Sequence, residues 1–139
     1  MITHAIAFLG ECGLRYTKDH FITIYSYLDQ MIKDGRIFMI YKDGIPVSFI
    51  AVSICREPDC QIYYFKDTWQ YVSHDLNGDI AYIEKFVSLK YDRKLRLEIE
   101  KKIKELFKNV ILGLWFRPHN IKDDRIMISK LRGDYHVHN

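Results

Sequence analysis

A histidine, a hydroxyl and a carboxylate stand in two short segments far apart in this chain, Thr17-Lys18-Asp19-His20 and Tyr82-Ile83-Glu84-Lys85-Phe86. Together they are the parts of a group-transfer site. A carboxylate that holds one ring nitrogen of a histidine as N–H leaves the other nitrogen free to take a proton from an attacking amine or hydroxyl. Glu84, set among Tyr82 and Phe86, is costly to bury unpaired, so it must reach solvent, pair with a base or carry a raised pKa. If His20 lies opposite it, the two form a catalytic dyad. The plainer reading, in which Glu84 faces water and His20 merely opens a helix, is the one the residue pattern alone favours.

The elements that would position these groups follow from periodicity. Phe21, Ile24, Tyr25, Leu28, Met31 and Ile32 recur at helical spacing, and Asp34-Gly35 ends the run because glycine supplies a left-handed C-terminal residue. Residues 36–41 and 47–55 are rich in Ile, Val, Phe and Tyr, and Asp43-Gly44 with Pro46 between them predicts an antiparallel hairpin. Residues 61–74 satisfy neither the strand nor the helix period. After the turn signal Asn77-Gly78-Asp79, residues 80–88 alternate as a strand, with Tyr82, Glu84 and Phe86 on one face and Ala81, Ile83, Lys85 and Val87 on the other. Asp92 can cap a helix whose apolar stripe is Leu95, Ile99, Ile103 and Leu106, with Arg93, Lys94, Glu98 and Lys102 facing water. Residues 110–116, broken at Pro118, and residues 125–131 complete the strands. The order predicts an α+β fold with a mostly antiparallel central sheet flanked by helices.

Composition narrows the function classes. A chain of 139 residues, 48% hydrophobic and 28% charged, has the length of a single domain, residues 1–139, and the balance of an ordinary globular protein. The formal charge of +3 from 21 basic and 18 acidic residues does not call for nucleic acid. Residues 1–14 lack the features of a secretory signal and no apolar run reaches a membrane span, so cytoplasmic residence is the expectation. Cys12, Cys55 and Cys60 show no C-x-x-C spacing and read as reduced thiols, and no histidine has a partner at metal-ligand spacing. His4, His119, His136 and His138 are weaker candidates than His20. Phosphate-binding loops of the G-x-x-x-x-G-K and G-x-G-x-x-G types are absent, which disfavours ATP and dinucleotide enzymes. The basic stretches near Arg93 and over residues 101–108 are interrupted by Glu98, Glu100 and Glu105 and read first as a solvated helix face, though such a face can steer an acidic carrier.

In several segments the chain resembles the haemolysin-activating, or RTX toxin-activating, acyltransferases. Thr17-Lys18-Asp19-His20 is similar to that family's serine, two residues and histidine before the first long helix. Tyr41-Lys42-Asp43-Gly44-Ile45-Pro46-Val47 is similar to its hairpin turn. Asn77-Gly78-Asp79 and Tyr82-Ile83-Glu84-Lys85-Phe86 resemble its acidic turn and the strand after it, and Arg117-Pro118 and Arg132-Gly133 its closing segment. The resemblance implies an N-acetyltransferase-like single domain that takes a fatty acyl group from acyl carrier protein and places it on an internal lysine of a protoxin, with no tightly bound cofactor. By position, His20 would be the general base, Glu84 its acidic partner and Thr17 a supporting hydroxyl. Glu84 stands where the family has aspartate, one methylene shorter. That departure and the short C-terminal part suggest a branch with another acceptor. A related offshoot serves microcin maturation, in which a similar small protein and a partner subunit attach a glucosylated catechol siderophore, as an activated donor, to the C-terminus of a bacteriocin peptide. The expected partners are therefore a toxin or bacteriocin peptide and either acyl carrier protein or a maturation subunit, with the chain in a homodimer or heteromer. A non-catalytic subunit of such a complex is the competing class.

Overall fold

The computed structural model of the chain describes residues 1–14, 18–56, 69, 75–116 and 126–131. Along the chain come helices α1 (Ile2–Glu11) and α2 (Lys18–Lys33) and strands β1 (Ile37–Lys42), β2 (Ile45–Cys55) and β3 (Ile80–Ser88). Helix α3 (Arg93–Leu106) and strands β4 (Leu112–Phe116) and β5 (Ile126–Lys130) follow. The strands form one sheet in sequence order, with β3 and β4 parallel and the other neighbours antiparallel. A parallel pair cannot be joined by a tight turn, and α3 is the crossover between its strands. The expected α+β class with a mostly antiparallel sheet is what the chain adopts.

Helices cover both faces of this sheet. On one face, Phe8 and Leu9 of α1 and Ile24, Leu28 and Met31 of α2 pack against Ile37, Met39 and Phe49. On the other, Leu95, Ile99 and Ile103 of α3 pack against Phe38, Ile50, Val52 and Ile54. Strand β2 is buried on both sides, which is why its sequence is an almost unbroken apolar run rather than an alternation. Sequence reading found in residues 1–14 no features of a secretory signal and missed α1, although Ala5, Phe8 and Leu9 carry the helical spacing that buries them. Leu106, assigned to the apolar stripe of α3, is 43% exposed at the helix's last residue.

Local chemistry sets the two turns that matter most. Gly35, at φ 69°, closes α2: its N–H donates to the Ile32 carbonyl at 3.0 Å and the Arg36 N–H to the Met31 carbonyl at 2.9 Å. This is the paired closure of a Schellman motif. It leaves Arg36 as the last residue between helix and sheet. Asp43 and Gly44 both adopt positive φ, 52° and 78°, between the paired Lys42 and Ile45. That is the two-residue turn of a tight hairpin.

The predicted alternation of β3 fails in the middle. Ala51 pairs with Lys85 while Val52 pairs with Ile83, so Glu84 is the extra residue of a β-bulge. Before the bulge Ala81 and Ile83 face α3; after it Phe86 does, and Val87 joins the cluster under α1 and α2. Phe86 therefore does not share a face with Tyr82 and Glu84. Lys85 moves to the α2 side, where its ammonium lies 5.1 Å from the centroid of the Trp69 ring. Gly78 precedes the strand where a Cβ would overlap the carbonyl of Cys55, so the Asn77-Gly78-Asp79 turn depends on glycine.

Candidate functional site

The bulge brings two consecutive charged side chains, Glu84 and Lys85, beneath α2, 5% and 7% exposed. Glu84 is held by three donors. Arg36 Nη2 donates to Oε2 at 2.7 Å, the Ser53 hydroxyl donates to the same oxygen, and Tyr27 Oη donates to Oε1 at 3.3 Å. Arg36 is completely buried; its Nε donates to the Val52 carbonyl at 2.8 Å and its Nη2 also donates to Ser53 Oγ. The Arg36 carbonyl in turn accepts from the Val52 N–H at 2.9 Å, so the residue clamps β2 from both its backbone and its side chain. Tyr27 stands edge-on to Trp69 with ring centroids 5.4 Å apart. Helix α2, strand β2 and the bulge of β3 thus converge on one carboxylate.

Burial pushes the Glu84 carboxyl up from its ordinary value, and the hydrogen bond from Ser53, the Arg36 guanidinium and the Tyr27 hydroxyl pull it back without cancelling the shift. Burial, reinforced by the neighbouring Glu84, drives the Tyr27 phenol far above its ordinary range. Tyr27 accordingly stays a neutral hydrogen-bond donor at neutral pH.

His20 lies half-buried in the first turn of α2. It precedes Tyr27 by two helical turns on the same face, about 10 Å along the axis. The donors on Glu84 are Arg36, Ser53 and Tyr27; His20 is not among them. His20 and Glu84 share the side of the sheet that α2 covers, His20 on the helix that also carries Tyr27. Thr17 lies outside the described residues, as do Cys60, His119, His136, His138, Arg117-Pro118, Arg132-Gly133 and, apart from Trp69, the ambiguous stretch 61–74. Cys12 carries a free thiol.

Sequence reasoning left Glu84 to reach solvent, pair with a base or carry a raised pKa, offered His20 as the base, and did not find Arg36. The signal was there in part: an arginine directly after a helix-ending glycine heads an apolar strand, where a solvated side chain would be out of place. Ser53, in the apolar run of β2, carried the same kind of signal. Tyr27 and Lys85 could not be recognised without the bulge.

On the opposite side of the molecule, a cleft of about 140 Å³ opens between the β1–β2 hairpin and the first turn of α3, lined by Ile40, Tyr41, Lys42, Lys90, Lys94 and Leu95 among others. It is separate from the Glu84 network and smaller than the several hundred cubic ångströms of a typical small-molecule site. Among the described residues, no helix is long and apolar enough to cross a membrane. No protein-family model matches this chain, and no curated protein is significantly similar to it.

Proposed function

We propose that this chain is an acyltransferase-like enzyme of N-acetyltransferase-like architecture that modifies a co-produced toxin or bacteriocin in the cytoplasm before export. The observation that supports it most is that His20 and Glu84 both belong to the α2 side of a mixed sheet, where a bulge turns Glu84 and Lys85 to one face. Bulges commonly re-aim side chains next to active sites. In the toxin-activating form of the reaction, a lysine amine of the acceptor attacks the thioester carbonyl of an acyl group carried by acyl carrier protein. A carbon–nitrogen bond forms, the carbon–sulfur bond breaks, and the carrier thiolate leaves and takes up a proton. His20 accepts the proton lost by the amine. Glu84 orients His20 indirectly, by fixing Tyr27 and with it the register of α2 on the sheet, and Thr17 is the supporting hydroxyl. In the microcin form, the same chain and a partner subunit attach a glucosylated catechol siderophore to the C-terminus of a peptide.

Mass spectrometry of the toxin or peptide encoded beside this chain, co-expressed with the wild type or with His20→Ala, tests the reading. A fatty-acyl mass on a lysine, or a siderophore-sized mass at the C-terminus, that disappears with His20→Ala is the expected result. An unmodified acceptor in both cases would overturn it.

The occupation of Glu84 by three donors favours one second reading, a non-catalytic subunit that keeps this fold inside a maturation complex. Its mark is a stable complex with the partner subunit that yields full product when His20 is replaced by alanine.

A further inference from the structure

Helix α3 carries the whole net charge of the molecule. It holds six basic and three acidic residues, a surplus of three, while the fifteen basic and fifteen acidic residues elsewhere cancel. The charges are also sorted around the helix. At roughly 3.6 residues per turn, the side directly across from the buried Leu95, Ile99 and Ile103 is formed by Arg93, Lys94, Leu97, Lys101 and Lys104, and the line continues to Lys108 just beyond the helix end. Glu98, Glu100 and Glu105 fall to its flanks, and Glu100 is engaged by Arg96 at 3.2 Å. At the centre of this basic strip stands Leu97, 51% exposed.

We infer that the outer face of α3, centred on Leu97, docks an acidic surface of a protein partner. An apolar residue ringed by charge is the anatomy of a protein interface, where a small apolar centre is desolvated and the charged rim steers and orients the partner. A nucleic-acid surface is disfavoured by the same layout. Its phosphates would meet the flanking glutamates, and Leu97 would have no counterpart on a phosphate backbone. The choice of an acyl carrier protein as the acidic partner rests on the acyl-transfer reading above; the location of the surface does not.

The experiment is a binding titration with purified apo acyl carrier protein, which bears no acyl group, so docking is read without any transfer. The wild-type chain binds saturably, more weakly as salt rises. The double reversal Lys94→Glu with Lys101→Glu, and separately Leu97→Asp, weaken binding by roughly tenfold or more, since placing like charges across an interface is costly. Lys33→Glu, on the exposed end of α2, leaves it unchanged. Absence of saturable binding by the wild type, or equal binding by the strip variants, overturns the inference. So does a DNA duplex that displaces the carrier and is itself lost to the same reversals, which would make the strip a general polyanion site. Carrier binding without acceptor modification would remove the acyl-transfer reading and leave the docking surface standing. Modification that persists undiminished in the strip variants would do the reverse.

Discussion

Arginine, lysine and glutamate appear in two settings in this protein, and the settings give them opposite roles. Around the β3 bulge, Arg36 and Glu84 are removed from water, 2.7 Å apart, with Ser53 and Tyr27 completing the carboxylate's shell. On α3 the same residue types stand in water, where ion pairs such as Arg96 with Glu100 are spaced one helical turn apart. In the first setting each charge depends on its partner, because leaving one alone in low dielectric costs far more than the pair returns. In the second each charge is nearly independent, and its effect is the field it projects. Buried charges here hold strands and helix together, and exposed ones shape the field around the molecule.

That contrast can be broken most sharply at Arg36. Arg36→Met, which strands Glu84, is expected to destabilise the protein by about 3–5 kcal/mol in urea denaturation, and Arg36→Met with Glu84→Met by much less than either single change. If the two single losses simply add, the pair is not a coupled unit. Next in size, Asp92→Ala removes the side chain that accepts from the Leu95 N–H at 2.8 Å and should lower the urea midpoint, as loss of a helix N-cap does. Tyr27→Phe, losing a single longer hydrogen bond to Glu84, should cost about 0.5–1.5 kcal/mol by the same assay. At the small end, Lys94→Glu with Lys101→Glu should shift stability by less than about 0.5 kcal/mol while altering carrier binding, which separates the projecting surface from the structural one.

Acid titration sharpens the comparison by sign. Glu84 has its folded pKa raised above the ordinary 4.5, so the folded state holds the proton more tightly than the unfolded chain does. Its contribution therefore favours folding at low pH and is lost as pH rises through the folded value. Asp92 behaves oppositely: the Leu95 N–H holds its carboxyl below the ordinary 3.8, so its contribution is present above that value and is lost as pH falls through the lower folded one. Urea midpoints measured against pH for Glu84→Gln and Asp92→Asn should each remove one of these slopes, of opposite sign. Slopes of the same sign would mean that Glu84 is held ionised more strongly than burial opposes it.

The pattern of residues was sufficient for α2, the hairpin, β3 and α3, because each is announced by local chemistry: helical spacing closed by Gly35, a two-residue turn at Asp43-Gly44, and Asp92 capping an amphipathic run. It was sufficient also to single out Glu84, since an acid inside an apolar strand demands a partner. The partner was another matter. Arg36 and Glu84 are 48 positions apart, and no local rule joins a residue behind a helix cap to one in a strand that is third in the sheet. The bulge was equally invisible, since a single unpaired residue changes no composition and yet moves Lys85 and Phe86 to opposite faces from those their spacing implies. Helix, turn and strand preferences act within a few residues and can be read along the chain; which charge is neutralised, and by what, is decided only when packing encloses both groups in the same dry space.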